Sequence, residues 1–232
     1  MINWSDKSVQ ITTESILQKF EKLKSEMVDQ IVLIDKQTLG QKLTAKENQL
    51  INEIFNIDPA KYGFSGPYLG LDAIPNDLAA IKNQKYTFRR EIHHIETQYL
   101  RKSVFEAYSQ MNKSISTDLE KKLLIDSAYR SPIYQCLTFL YYFKIYSFNF
   151  GMTTKRVAIP GYSEHCSSTK PAIDVITENG LPSDKKPLNF ARSVEYRWLK
   201  KNASKFGFVQ SYPKNNTFGI IFEPWHWGYS DN

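Results

Sequence analysis

Two histidines and two carboxylates carry the chemistry that this sequence offers. His165 and Asp174 lie at the two ends of one stretch, Pro160-Gly-Tyr-Ser-Glu-His-Cys-Ser-Ser-Thr-Lys-Pro-Ala-Ile-Asp174. The loop between them is short, polar and rich in Ser, Thr and Pro, so it can fold back and aim both side chains at one spot. Far downstream, Phe222-Glu-Pro-Trp-His-Trp-Gly-Tyr229 places Glu223 three residues before His226. Two imidazoles and one carboxylate supply three ligands of a tetrahedral zinc ion and leave the fourth position to water. The spare carboxylate, Glu223, is then the base that takes the proton of that water. The predicted chemistry is metal-assisted hydrolysis.

These groups need rigid elements to hold them. Ala172-Ile-Asp-Val-Ile176 reads as a buried strand, which puts Asp174 on scaffold rather than on the loop. Lys122–Tyr129 reads as a second strand ending at Arg130. Ser131-Pro132 is a helix cap followed by proline at the first helical position, and the helix is predicted over 132–149, stopping at Gly151. Arg130 therefore stands at a strand end beside a helix N-terminus, where an anion is favoured. Its planar guanidinium suits bidentate recognition of a carboxylate. A helix over 190–206 is predicted to end at Gly207. Phe208–Tyr212 and Thr217–Glu223 read as two strands joined by the turn Pro-Lys-Asn-Asn. Because Glu223 precedes Pro224 it is biased to extended geometry, so this Glu-x-x-His is predicted at a strand end rather than on a helix.

The first part of the chain has a different pattern. Ile16, Leu17, Phe20, Leu23, Met27 and Ile31 recur at helical spacing over 12–35, with Thr12 or Thr13 as the expected cap. Thr44 and Glu47 spell a capping box for a helix over 44–56, closed by Asp58-Pro59. Residues 1–60 are read as a helical extension and residues 61–232 as the catalytic part, with the Gly/Pro-rich stretch 61–76 marking the entry. A helix is predicted over 86–113. It carries His93 and His94, which lack ligand spacing and are left out of the site.

The motif residues resemble a known family. Ser163-x-His165 with Ala172-x-Asp174, then Glu223-Pro-Trp-His226-Trp227, is similar to the VanY-type zinc D-alanyl-D-alanine carboxypeptidases, in the wider metallopeptidase group that includes lysostaphin and the hedgehog zinc domain. Upstream, Ser127-Ala-Tyr-Arg-Ser131 with Gln135 resembles that family's Ser-Gly/Ala-Tyr-Arg-Ser block, and Trp198-Leu-x-x-Asn202-Ala-x-x-Phe-Gly207-Phe resembles its helix-to-strand segment. One departure stands out: eight residues separate His165 from Asp174, where the family usually has six with a central Gly. Two extra residues in an exposed loop cost little closure entropy.

The resemblance implies an α+β fold, with a small antiparallel sheet carrying the zinc site, helices on its flanks and a helical N-terminal extension. It implies one Zn²⁺ per chain on His165, Asp174 and His226, with Glu223 as base and Arg130 positioning and polarising substrate. Ser163, Gln135, Tyr162 and Trp225 are implied to line the cleft. The implied reaction is removal of the C-terminal D-Ala from peptidoglycan stem peptides. An L,D-carboxypeptidase acting on tetrapeptide stems, a wall endopeptidase and an inactive zinc-bearing module are the alternatives. Retention of Glu223 argues against the inactive module. Ser163 and His165 stand too close in sequence, with no third orienting group, to form a serine-hydrolase pair.

Composition is consistent with this reading. The chain has 232 residues, 41% of them hydrophobic and 14% aromatic, enough for a sizeable core. Residues 1–61 hold 8 basic and 9 acidic side chains, leaving 22 and 15 for residues 62–232. With no long basic run this surplus is a solvated surface, and no nucleic-acid partner is expected. Cys136 and Cys166 make no disulfide framework. Cys136 is expected to be a buried helix thiol, and Cys166, next to His165, is expected to point away from the metal. No apolar run reaches the ~20 residues of a membrane span, and the first residues do not read as a leader. The expected form is a monomer, and the family resemblance places it at the cell envelope or outside the cell.

Overall fold

The computed structural model describes residues 3–181 and 187–230. The chain begins with three helices, α1 (Lys7–Met27), α2 (Lys36–Gly40) and α3 (Ala45–Phe55). Four short strands follow: β1 (Leu78–Ile81), β2 (Lys85–Phe88), β3 (Glu91–His94) and β4 (Gln98–Arg101). Next come α4 (Lys102–Leu119), β5 (Leu123–Ser127), α5 (Pro132–Ile145) and α6 (Phe150–Thr154). The last elements are β6 (Ala172–Thr177), α7 (Pro187–Ala191), α8 (Val194–Asn202), β7 (Phe208–Gln210) and β8 (His226–Tyr229). The fold is α+β, with small antiparallel sheets and helices. Among the described residues no helix is long and apolar enough to cross a membrane.

The chain forms two compact units, and each is drawn from separate stretches of sequence. The first comprises Met1–Ile74, Arg130–Ser167 and Thr217–Ile221; the second comprises Pro75–Tyr129, Ser168–Asn216 and Phe222–Asn232.

The first unit is helical. Ile16, Leu17, Phe20 and Leu23 of α1 are buried, as are Leu50, Ile51 and Ile54 of α3. Both helices pack on α5, whose Ile133, Cys136, Leu137, Phe139, Leu140 and Phe143 leave little of it facing water. Phe139, Phe143, Phe150 and Trp4 interlock at centroid distances of 4.4–6.3 Å, edge-on or tilted except for the near-parallel Phe139–Phe143 pair, arrangements that suit the ring quadrupole.

The second unit carries a four-stranded antiparallel sheet in the order β5-β6-β8-β7. Its core face joins Leu123, Ile125, Ile173, Val175, Phe208 and Trp227 to Val104, Tyr108, Met111 and Ile115 of α4. Those α4 residues recur every three to four positions, which is why α4 turns one stripe inward. Two antiparallel pairs, β1 with β4 and the β2–β3 hairpin between them in the chain, complete the unit.

Several sequence expectations are corrected. Asp6, not Thr12 or Thr13, caps α1, accepting from the Ser8 N–H at 2.6 Å. Thr12 is helical, its hydroxyl satisfied by donating to the Ser8 carbonyl at 2.7 Å, and α1 ends at Met27 before a 3₁₀ stretch (Val28–Leu33). Residues 85–94 form the β2–β3 hairpin rather than the start of a helix. Its turn, Arg89-Arg90, takes positive φ at both residues without Gly or Asn, so no turn signal was there to read. His93 stacks on Tyr86 at 5.1 Å in that hairpin. The α5 helix stops at Ile145, since Ser147 and Phe148 adopt positive φ, and Gly151 lies inside α6. The helix expected over 190–206 is divided between α7, α8 and a 3₁₀ turn, with Gly207 left-handed as its end. Thr217–Glu223 makes no ladder; single bonds to loops, such as Ile221 N–H to the Lys155 carbonyl at 2.9 Å, use its backbone instead.

The capping box of α3 is present, and Glu47 does more than cap. Its buried carboxylate accepts from the Thr44 N–H at 2.6 Å, from the Ser15 hydroxyl at 2.6 Å and from Lys19 at 2.5 Å, so it pins α3 to α1. Burial opposes its ionisation, but these donors outweigh that effect and lower its pKa to about 2. A depressed carboxylate pKa adds stability above the unfolded value and loses it as pH falls toward the folded one. Glu47→Ala is therefore expected to lower stability at pH 7 by about 1–3 kcal/mol. The gap to wild type should shrink between roughly pH 4.5 and pH 2, as measured by urea unfolding across that range. A gap independent of pH would refute the ionised anchor.

Candidate active-site residues

In the sheet-bearing unit, β6 and β8 are neighbours in a register that sets Asp174 opposite His226. Facing residues of an antiparallel pair project to the same side. His226 Nδ1 and Asp174 Oδ1 are accordingly 2.8 Å apart, with side chains only 4% and 13% exposed. At that distance the two atoms either share a proton or turn their lone pairs to one cation. A buried imidazole nitrogen beside a buried carboxylate oxygen is a donor pair that fits zinc. The Tyr212 ring lies 4.8 Å from the imidazole and limits its rotation. On the other side of β6, Ser127 of β5 stands opposite Asp174, just where the ladder shifts register past Ile125. The extra residue, Asp126, makes a bulge that re-aims the strand end beside the carboxylate.

Glu223 is buried and belongs to a tightly held turn. Its N–H donates to the Tyr212 carbonyl at 3.0 Å, and its own carbonyl accepts from Gln210 Nε2 at 3.3 Å. The Gln210 oxygen in turn accepts from the Tyr196 hydroxyl at 3.1 Å. Trp227 Nε1 donates to the Pro224 carbonyl at 3.1 Å, and Val175 N–H to the Trp225 carbonyl at 3.1 Å. Trp225 is buried in the core cluster. It contributes packing that anchors the turn. The expected strand-end setting of Glu-x-x-His takes the form of a turn that feeds His226 into the first position of β8.

In the helical unit, Arg130, Ser131, Gln135, Ser163 and His165 come together. The Arg130 N–H donates to the His165 carbonyl at 3.0 Å, joining the α5 entry to the 3₁₀ turn Glu164–Cys166. Arg130 Nη1 donates to Gln135 Oε1 at 3.1 Å, and Gln135 Nε2 donates to the Ala158 carbonyl at 2.6 Å. The amide of Gln135 thus has one fixed orientation, and so does the guanidinium it holds. Ser131 caps α5, accepting from the Tyr134 N–H at 3.0 Å while its hydroxyl donates to the Ile34 carbonyl at 2.6 Å. Ser163 and His165 are buried. Tyr162 packs edge-on against Phe64 at 5.7 Å and Tyr68 at 5.3 Å. Burial, with Asp58 and Tyr68 nearby, raises its hydroxyl pKa. Cys166 turns its sulfur to the Ser131 carbonyl, 3.9 Å away. Burial pushes that thiol up to about 12, outweighing Arg130 and the Ser163 hydroxyl, so Cys166 stays a neutral packing residue.

Gln210, Tyr196 and Tyr212 did not emerge from the sequence. One signal existed: on β7, Phe208 and Gln210 face inward while Val209 faces out, and a polar side chain at an inward strand position needs a partner.

Comparison with known proteins follows the same residues. The family model described as D-alanyl-D-alanine carboxypeptidase, VanY, matches residues 97–232. A D-alanyl-D-alanine carboxypeptidase of Enterococcus faecalis is 39% identical over 75 residues, 32% of this chain and 24% of that protein. The Bacillus subtilis protein named "Putative carboxypeptidase YodJ" is 25% identical over 214 residues, covering 84% of this chain and 76% of its own length. The chain thus spans about a quarter of the first relative and about three quarters of the second. Among solved structures, the LdcB LD-carboxypeptidase superposes with a TM-score of 0.52 at 28% identity, covering 67% of this chain and 68% of that one. The matched stretch exceeds half of the chain and holds every candidate site residue: this chain belongs to the VanY D-alanyl-D-alanine carboxypeptidase family.

Proposed function

We propose that this chain is a zinc-dependent carboxypeptidase that removes the C-terminal D-Ala from peptidoglycan stem peptides. The observation that carries the reading is the largely buried Asp174–His226 pair at 2.8 Å, with Glu223 locked three residues upstream of His226. His165 is the third ligand in this reading, giving one zinc per chain. Zinc held there supplies Lewis acidity, polarising the scissile carbonyl and making water acidic enough to act near neutral pH. Glu223 takes the proton from the attacking water and returns it to the leaving amine. Arg130, its fork aligned by Gln135, pairs with the substrate's terminal carboxylate and orients the peptide. Ser163, Gln135, Tyr162 and Trp225 line the cleft. Residues 1–60 serve the catalytic part, 61–232, as a helical extension, and the protein works as a monomer at the cell envelope or outside the cell. The likeness to the LdcB LD-carboxypeptidase supports a second reading, L,D cleavage of tetrapeptide stems.

Glu223→Ala is expected to keep stoichiometric zinc by elemental analysis and to lose about 10²–10⁴-fold in turnover, the usual share of general-base catalysis. Near wild-type turnover would remove Glu223 from the mechanism, and a purified wild-type protein that neither contains nor binds zinc would remove the metal.

The terminal-carboxylate role is tested with stem pentapeptide and tetrapeptide as free acids and as C-terminal amides. Free acids should be preferred, and Arg130→Lys should lower kcat/KM by roughly 30-fold or more without loss of zinc, since a lysine cannot reproduce the paired contact. The better acid substrate decides between D,D and L,D cleavage. Equal cleavage of acid and amide would make the enzyme an endopeptidase.

A further inference from the structure

The tip of the β2–β3 hairpin is strained, cationic and apolar at once. Arg89 and Arg90 form its turn with φ of 50° and 70°, the signs that a type I′ turn needs and for which Asn-Gly is the favoured pair. A side chain with a Cβ crowds its own carbonyl in this left-handed region. Two successive arginines there oppose folding, and such strain persists only where the surroundings impose it. The root of the hairpin imposes it. Buried Gln84 donates from Nε2 to the Ile125 carbonyl at 2.9 Å and accepts from the Ile125 N–H at 2.8 Å. Ile95 N–H donates to the Gln84 carbonyl at 3.0 Å, and Thr87 N–H to the Glu178 carbonyl at 2.9 Å. Tyr86 and Phe88 lean on Gly180, where a Cβ would fall 2.8 Å from the Tyr86 ring. The tip is thus carried outward on a fixed base.

Phe88 is 40% and Ile92 61% exposed, and both arginines are exposed. Phe88 stands opposite Glu91, and Thr87 opposite Ile92, so the two apolar side chains project from opposite faces of the ribbon. The Arg89 guanidinium lies over the Phe88 ring at 5.2 Å. From 85 to 94 there are three cations, Lys85, Arg89 and Arg90, against one carboxylate, Glu91. Glu91 is turned to His93, 4.0 Å away, and among the described residues no carboxylate pairs with Arg89 or Arg90. A protein partner covers one face or one edge of a ribbon. Apolar groups on both faces of a tip are covered together by a medium that surrounds it, and a bilayer interface is such a medium. Rings and aliphatic groups enter the boundary between headgroups and acyl chains while arginine stems reach back to phosphate. Anionic headgroups complement the surplus charge.

We propose that the β2–β3 hairpin docks this chain on an anionic phospholipid surface. Phe88 and Ile92 enter the interface, and Arg89 and Arg90 contact lipid phosphates. Such docking needs neither metal nor peptide, so it stands apart from the peptidase reading.

The test sediments the full chain with sucrose-loaded vesicles of phosphatidylglycerol mixed with phosphatidylcholine, and with vesicles of phosphatidylcholine alone. Wild type should bind the first and not the second, more weakly as salt rises. Arg89→Asn with Arg90→Gly removes two charges and relieves the turn. This variant should melt no lower than wild type and bind anionic vesicles roughly 30-fold more weakly. Phe88→Ser with Ile92→Ser keeps the charges and should weaken binding roughly tenfold. A wild type that ignores anionic vesicles overturns the inference. So does an Arg89→Asn/Arg90→Gly variant that binds as wild type does, or that melts lower and so gives the arginines a role in the fold. Undiminished binding by Phe88→Ser/Ile92→Ser would mean that the hairpin reads phosphate alone, as on a polyanionic wall polymer, and overturns the bilayer assignment. Each of these outcomes leaves the peptidase reading standing.

Discussion

Everything at the candidate site depends on keeping one carboxylate and one imidazole out of water and face to face. Asp174 on β6 and His226 on β8 are opposite each other only in the observed register. That register is enforced from the opposite face of the sheet. Ile173, Val175 and Trp227 alternate with the polar pair and are packed into the core with Leu123, Ile125 and Phe208. A slip of one residue would drive Asp174 into that apolar layer and bring Ile173 out. The burial of a few aliphatic and aromatic side chains therefore sets the position of two side chains on the other face of the same strands. The same desolvation makes the pair costly to leave without a shared proton or cation, which is the physical basis for reading it as half of a metal site.

The proposed base, Glu223, is positioned by a different device. Glu223 is in a turn, and a turn has no ladder of its own, so its backbone is held from outside by Tyr212, Gln210 and the indole of Trp227. Gln210 is itself oriented by the Tyr196 hydroxyl from α8. A helix, a strand and the core indole thus converge on the backbone of four residues. A general base needs placement to a fraction of an ångström, and a loop reaches that only when its peptide groups are already committed.

The helical unit solves the same problem for Arg130 and His165 through α5. Ser131 caps the helix, Gln135 one turn later orients the guanidinium, and the Arg130 amide holds the turn that carries His165. Because α1 and α3 pack on α5, the residues ahead of Ile74 form part of the packing that fixes this helix. Glu47, which ties α3 to α1, belongs to that support.

The sequence by itself determined the chemical inventory and the elements with strong local signals. His165, Asp174, Glu223 and His226 were legible because their types and spacing have few other uses. The β6 strand, the Ser131 cap, the Thr44–Glu47 capping box and the Gly207 stop were legible because each rests on interactions a few residues apart. What only the tertiary structure decided depends on partners distant in the chain. The β2–β3 hairpin turns through two arginines that carry no turn signal, so its pairing rather than its turn residues defines it. Thr217–Glu223 has the composition of a strand but was left outside the sheet, and its backbone went to loops. Gln210 and Tyr68 acquired their surroundings from residues 13 to 94 positions away, Glu223 and Tyr162. Local propensity cannot encode such encounters, because they exist only once the core has chosen which faces to bury.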